Sequence, residues 1–164
     1  MKKILLLILI TLTLSAEVKV GDTVNNFTLP YLYDTSKVVS LKTNAGKVTL
    51  VNLWASWCSG CKEEMPHFVS LQKKYKKSEF RIILSSVDKK KSKSIKFLNK
   101  VDKDKTLLAL YDKEKILPKE YRAMGMPSSY LLDENLKIIK IFTGSLDDDA
   151  MGELESTINK LLGK

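Results

Sequence analysis

The sequence of 164 residues predicts one α/β domain, a sandwich built on a mixed β-sheet. Apolar runs of strand character alternate with amphipathic segments of helical period, which indicates alternating strands and helices. Near the C-terminus, two apolar runs flank a short polar turn, so part of the sheet is expected to be an antiparallel hairpin. The composition, 44% hydrophobic and 29% charged, excludes a mostly disordered chain.

The first sixteen residues have the layout of a secretory signal peptide. A basic start precedes residues 4–14, which are apolar except for two threonines, and Ser15-Ala16 supplies small residues. We expect cleavage after Ala16. Cleavage after Ser15, retention as a membrane anchor, and a buried N-terminal strand or helix stay open. The domain proper is then expected to cover residues 17–164 of an exported, periplasmic or membrane-anchored protein.

The N-terminal half predicts short extended pieces, a central strand and a long helix. Residues 24–41 are expected to be extended pieces broken at Pro30, and 44–46 a turn. Val48 to Trp54 is a nearly continuous apolar run, as in a buried central strand. After a Ser59-Gly60 turn, a helix is expected to present one apolar face made of Met65, Phe68, Leu71, Gln72 and Tyr75.

The C-terminal half predicts four strands and three helices, of which the last is the best marked. Strands are expected at 80–87, 107–111, 128–132 and 138–142, and a short helix at 117–122. A lysine-rich loop over 88–94 should lead into a helix with an apolar stripe from Ile95. The last helix is expected to be capped by Ser145, to begin with acidic residues at 147–149, and to close at Gly163.

Both cysteines lie in the run Trp57-Cys58-Ser59-Gly60-Cys61, where the central strand meets the helix. The free N–H groups and positive dipole of a helix start stabilise a thiolate, so the pKa of Cys58 is expected below the free value of roughly 8.5. We expect Cys58 to be the nucleophile of disulfide exchange, more exposed than Cys61, and Cys61 to be the more covered resolving thiol. A static disulfide, half of a metal site and plain core packing are the alternatives.

The residues at two places resemble those of one known family. The segment from Val51 to Pro66, VNLWASWCSGCKEEMP, is similar to the active-site segment of exported thioredoxin-like proteins of the TlpA/ResA type. The segment GMPSSYLLD, residues 125–133, resembles that family's second signature, in which a cis-proline begins a strand facing the cysteines. The resemblance spans about Gly21 to Leu162. It implies a thioredoxin-like three-layer sandwich, with helices on both faces of the mixed sheet and an N-terminal strand extension.

The resemblance also implies roles for individual residues. Pro127 is expected to be cis, with the Met126 backbone offering strand-like hydrogen bonds to substrate; a trans proline opening an edge strand is the alternative. Trp57 is expected to cover the site and contact substrate. Glu64, three residues after Cys61, is expected to exchange protons with that thiol; a solvated first-turn acid is the alternative.

The sequence departs from the family at two positions. Ser59-Gly60 lies between the cysteines where a proline is common, which leaves the direction of electron flow open. Asn52 occupies the strand position where thioredoxins keep a buried acid.

Pro66 is expected to kink the helix, and His67 is placed too far from the cysteines to complete a copper site with them.

The predicted function is an exported thiol–disulfide oxidoreductase, most simply a reductase of exported proteins such as apocytochrome c. A disulfide-forming oxidase and a Cu(I)-binding module of the same fold are the alternatives, and a thiol peroxidase is a weaker one. The dithiol itself carries the electrons, so no cofactor or metal is expected. Expected partners are disulfide-bearing or dithiol exported proteins and a membrane or periplasmic electron donor.

The net charge of +9 does not predict nucleic-acid binding. All but two of the 28 basic residues are lysine, whereas phosphate and base recognition favours arginine. The lysines of residues 73–77 and 89–96 are expected to be solvated faces, with docking of an acidic partner as the alternative.

Overall fold

A five-stranded mixed sheet lies at the centre of the fold, in a computed structural model that describes residues 18–164. The signal peptide predicted for residues 1–16 lies outside the described residues. The strands are β1 (Thr28–Pro30), β2 (Val38–Ser40), β3 (Val48–Trp54), β4 (Phe80–Ser86), β5 (Leu108–Tyr111), β6 (Ser128–Asp133) and β7 (Ile138–Thr143). The helices are α1 (Leu41–Asn44), α2 (Ser59–Lys73), α3 (Lys91–Val101), α4 (Ile116–Glu120) and α5 (Asp148–Leu162).

The main sheet has the strand order β5-β4-β3-β6-β7. β3 pairs in parallel with β4, which pairs in parallel with β5, whereas β6 runs antiparallel to both β3 and β7. All seven residues of β3 are buried, because this strand has a neighbour on each side and helices or loops on both faces. The apolar run of Val48 to Trp54 is therefore the central strand, as predicted.

Side chains of alternate strand residues enter two separate cores. Leu50 and Trp54 of β3 pack with Phe68 of α2 and with the apolar stripes of α3 and α5. Val51 and Leu53, on the other face, pack with α1, α4 and the N-terminal extension. The period of two along a strand thus places helices on both faces, which confirms the predicted three-layer α/β sandwich.

The N-terminal extension crosses one face of the sheet and reaches both of its edges. β1 and β2 form an antiparallel hairpin, and Tyr31 bridges to Leu110 of the edge strand β5. At the opposite edge, Thr23 bridges to Lys137, just before β7. The extension therefore covers strand edges that would otherwise offer unpaired backbone groups.

Several predicted boundaries move in the structure. The prediction that Ser145 caps the last helix is wrong: Asp147 is the N-cap, and its carboxylate accepts a hydrogen bond of 2.9 Å from Ala150 N. Ser59-Gly60 is not a turn before the helix but its first two residues. α3 begins at Lys91, inside the expected loop, and Gly163 closes α5 in the left-handed conformation, as predicted.

Of the helices in residues 18–164, none combines the length with the apolar surface needed for a membrane span.

Candidate active site

Cys58 and Cys61 form a disulfide at the start of α2. Cys58 is the N-cap residue, and its Sγ accepts a hydrogen bond of 3.2 Å from Cys61 N. The side chain of Cys58 is 7% exposed and that of Cys61 is fully buried. The helix start therefore directs N–H groups and positive dipole charge to the outer sulfur, as the sequence predicted. An incoming thiol or disulfide can reach Cys58 first.

An open cavity of about 560 Å³ lies over the disulfide. Trp57 and Cys58 line it together with Met126 and Pro127, so four of the predicted site residues meet there. Its other lining residues, Ser59, Gly60, Glu63, Gly144 and Ser145, come from the start of α2 and the loop after β7. Trp57 is 65% exposed and stands at the rim of the cavity.

Pro127 reaches this cavity because β6 pairs with β3. Ser128, the first residue of β6, is opposite Leu53, close to the end of β3 from which the cysteines follow. The Met126–Pro127 peptide bond is cis, and the Pro127 carbonyl accepts a hydrogen bond of 3.0 Å from Gly144 N. Within the described residues, the backbone N–H and C=O of Met126 have no hydrogen-bond partner. They can pair with the backbone of an extended segment laid across the disulfide.

Glu64 is buried behind the disulfide rather than solvated. Only 1% of it is exposed, and it lies in the second turn of α2, so the alternative of a solvated first-turn acid is wrong. Asn52 Nδ2 donates to its Oε1 at 2.9 Å, and Leu146 N donates to its Oε2 at 3.2 Å. Burial raises the pKa of Glu64 to about 7, although these two hydrogen bonds act in the opposite direction.

With a pKa of about 7, Glu64 populates both protonation states at neutral pH, as a group that exchanges protons requires. Glu64 follows Cys61 by three residues on α2, and residues so spaced on a helix have Cβ atoms about 5–6 Å apart. The proton exchange between Glu64 and Cys61 stays a prediction.

Asn52 links this carboxyl to the neighbouring strand. Its Nδ2 also donates to Ser129 Oγ at 2.9 Å, across the register pair of β3 and β6. Its Oδ1 is buried and has no partner among the described residues. Ser129 and Leu146 were missed by sequence reasoning. Ser129 could have been found from its place opposite Asn52 in the sheet, but Leu146 follows Glu64 by 82 residues and left no local signal.

The loop after β7 closes tightly on Gly60. A Cβ placed on Gly60 would lie 3.0 Å from Ser145 Cβ and 3.1 Å from its Oγ. Such an approach requires glycine or a displaced loop. The glycine between the cysteines is thereby explained, and Ser145 belongs to the wall of the site rather than to the cap of α5.

A buried carboxylate holds the loop that carries Trp57. Asp88 Oδ2 accepts from Ser56 N and Asp88 Oδ1 from Ser56 Oγ, each at 3.0 Å. Ser94 Oγ of α3 donates to Asp88 Oδ2 at 2.5 Å. The loop between β3 and α2 is therefore tied to the start of α3, a link that the sequence did not reveal.

Pro66 lies inside α2, and His67 on the same helix is exposed. In residues 18–164, no three or more His, Cys, Asp or Glu side chains form a group that could hold a metal ion.

The Redoxin family profile matches residues 19–162. A protein named thiol-disulfide oxidoreductase ResA from Oceanobacillus iheyensis is 30% identical over 145 residues, which are 87% of this chain and 73% of that one. One of the same name from Bacillus thuringiensis subsp. konkukian is 29% identical over 149 residues, 91% of this chain and 82% of that one. The crystal structure of a candidate thiol:disulfide interchange protein DsbE from Chlorobium tepidum superposes with a TM-score of 0.79 at 31% identity, covering 90% of this chain and all of that one.

Proposed function

We propose a disulfide-reducing role for this chain, which belongs to the Redoxin family and is a thiol–disulfide oxidoreductase. The observation that carries the proposal is the asymmetry of the cysteine pair. Cys58 reaches the cavity at a helix start, while Cys61 is fully buried and three residues from a buried carboxyl group. The substrates carry a disulfide or a dithiol, and we propose that they are exported proteins, apocytochrome c among them.

The reaction proceeds by two thiol–disulfide exchanges. The Cys58 thiolate attacks one sulfur of the substrate disulfide, forms a mixed disulfide and releases the other substrate sulfur, which takes up a proton. Cys61 gives its proton to the Glu64 carboxylate and attacks the Cys58 sulfur, which releases the second substrate sulfur as a thiolate that takes up a proton from water. Two electrons have then passed to the substrate, and the protein carries the Cys58–Cys61 disulfide of the structure. A membrane or periplasmic dithiol donor reduces it again.

The position of Glu64 supports reduction over oxidation. A strong disulfide donor depends on a stabilised thiolate, because this lowers the free energy of its reduced form. A carboxylate in a buried site near Cys61 repels a thiolate there and weakens that stabilisation. The dithiol consequently gives up its electrons more readily.

The cavity supports an extended protein segment as the substrate. Met126 offers a backbone donor and acceptor that have no partner among the described residues, and Trp57 supplies an exposed apolar surface to the same cavity. The unpaired backbone groups recognise any sequence, so further selectivity requires side-chain contacts outside the cavity.

We further propose export, with residues 1–16 as the signal peptide or anchor and residues 17–164 as the working domain. A basic start followed by an apolar run, as in a signal peptide, supports export.

An oxidase of the same fold is the second candidate. The hydrogen bond from Cys61 N to Cys58 Sγ favours it, because that N–H group stabilises a thiolate at Cys58. The reduction potential separates the two directions. Equilibration with glutathione is expected to give a potential of roughly −270 mV or lower for a reductase, whereas roughly −120 mV would replace the proposal with the oxidase.

The exchange itself is tested by trapping. Reduced Cys61→Ser protein, mixed with a disulfide-bonded peptide, is expected to stop at a mixed disulfide through Cys58, visible by mass spectrometry. Cys58→Ser protein, the matched control, is expected to form none. Equal trapping by both variants, or by neither, would refute the assigned roles. If Glu64→Gln leaves both thiol titration curves unchanged, the proton-exchange role of Glu64 is refuted.

A further inference from the structure

Lysines surround two cavities beside Trp57, on the side of the site that faces α3. The first cavity, about 400 Å³, is lined by Trp57 and by the lysines at 89, 90, 93 and 115. The second, about 410 Å³, shares Trp57 and Lys93 and adds the lysines at 62, 96 and 100. We call the lysines of these two cavities the lysine face. They come from α2, the loop before α3, α3 itself and the loop before α4, so only the fold brings them together.

The lysine face carries positive charge that the described part of the chain leaves unpaired. Within residues 18–164, none of its lysines forms an ion pair, whereas Lys73 and Lys74 nearby on α2 pair with Asp104 and Glu155. One acidic residue, Asp88, lines the first cavity. Its carboxylate is buried and already accepts hydrogen bonds from Ser56 and Ser94. Like charges gathered without partners repel one another, and an incoming anionic group relieves that repulsion.

The lysine face is continuous with the site of disulfide exchange. Trp57 lines both lysine cavities and the cavity over the disulfide, and it directly precedes Cys58. The disulfide cavity itself has a single charged lining residue, Glu63. The hydrogen bonds of Asp88 to Ser56 and Ser94 fix the Trp57 loop against the start of α3. The surface around Trp57 therefore changes from a disulfide cavity with one charged lining residue to the strongly positive lysine face.

We propose that the lysine face binds an acidic segment of the substrate protein, next to the disulfide that Cys58 attacks. The inference rests on the proposed function, since it names the substrate class of the same site. Acidic residues within about five positions of the reactive cysteine suffice, because an extended segment of that length spans about 17 Å. Charge attraction of this kind raises the rate of encounter more than it raises affinity.

The test compares three disulfide-bonded peptides that differ only in the residues flanking the reactive cysteine: acidic, neutral or basic. Rate constants for their reduction by the reduced protein are measured by stopped flow at 10 mM and 500 mM salt. At low salt, the acidic peptide is expected to react about tenfold faster than the neutral one and the basic peptide more slowly. The ratio of acidic to neutral rates should approach one at high salt, where charges are screened beyond about 4 Å.

Two charge-matched variants locate the effect. Lys93→Glu with Lys96→Glu reverses two charges of the lysine face, and is expected to bring the low-salt ratio close to one. Lys47→Glu with Lys77→Glu makes the same change in net charge at exposed residues near the start of β3, away from the disulfide, and is expected to keep the ratio of the unmodified protein.

A ratio of one in the unmodified protein would overturn the inference, as would an equal fall in both variants, which would indicate overall charge alone. Salt-sensitive binding to anionic lipid vesicles, lost in the Lys93/Lys96 variant while the peptide ratio stays unchanged, would assign the surface to a membrane instead. Failure to reduce even the neutral peptide would refute the proposed function rather than the docking surface.

Discussion

Replacement of Glu64 by Gln is expected to make the oxidised protein more stable at alkaline pH. The carboxyl group has a pKa of about 7 in the fold, against an ordinary value of 4.5. Each unit between the folded and unfolded pKa values corresponds to ~1.36 kcal/mol, so the full difference is worth about 3 kcal/mol. Glutamine keeps the size of the side chain and remains uncharged at every pH.

The sign follows from which state binds the proton more tightly. The folded protein holds the Glu64 proton more tightly than the unfolded chain, so the contribution is favourable below pH 4.5 and is lost as the pH rises through 7. Below pH 4.5 both proteins carry a neutral group at position 64, and their free energies of unfolding should agree within about 1 kcal/mol. At pH 8 the Gln variant is expected to be more stable by about 3 kcal/mol.

Urea unfolding of the oxidised proteins between pH 4 and pH 8 measures this difference. In the oxidised state Cys58 and Cys61 do not titrate, so they add no pH dependence of their own. The expected difference corresponds to about 1–3 M in the urea midpoint. Glu63→Gln, at the exposed neighbouring position, is the matched control and should not reproduce the effect. A difference between the unmodified and Glu64→Gln proteins that is constant from pH 4 to pH 8 would refute the burial of an ionisable carboxyl at this site.

Three further substitutions test the packing around the site. Gly60→Ala is expected to lower the free energy of unfolding by about 1 kcal/mol or more, because the added Cβ would press on Ser145. In a double-mutant cycle, Ser145→Gly should recover this loss, and additive effects of the two substitutions would contradict the contact. Asp147→Ala should lower the free energy of unfolding, measured by heat or urea, by about 1 kcal/mol because the hydrogen bond from Ala150 N is lost. Ser145→Ala should lower it little, and the reverse order of the two effects would restore Ser145 as the cap. Phe27→Ala should lower the free energy of unfolding by about 3–5 kcal/mol, since this side chain of the N-terminal extension is buried against the sheet. A decrease under 1 kcal/mol would show that the extension is not part of the core.

Regular elements were predictable because their signals are local. The apolar run of β3, the stripe of α2 and the turn before β7 each arise from residues close together in sequence, and each lies where predicted within a few residues. The prediction of Ser145 as a helix cap was wrong for a related reason. Ser145 and Asp147 are both good caps, and the choice between them depends on where the loop must run to contact Gly60.

The features of the candidate site likewise divide into those set by local sequence and those set by distant contacts. The sequence by itself determined that the two cysteines lie between a buried strand and a helix, and hence which of the two sulfurs is outermost. The periods of the strand and the helix set this order within sixteen residues. Only the tertiary structure decided that Glu64 is buried, since the backbone group that covers it belongs to Leu146, 82 residues later. It also decided that lysines from two helices and two loops meet at Trp57. Burial and summed charge depend on what packs alongside a residue, and a local pattern contains no record of its distant neighbours.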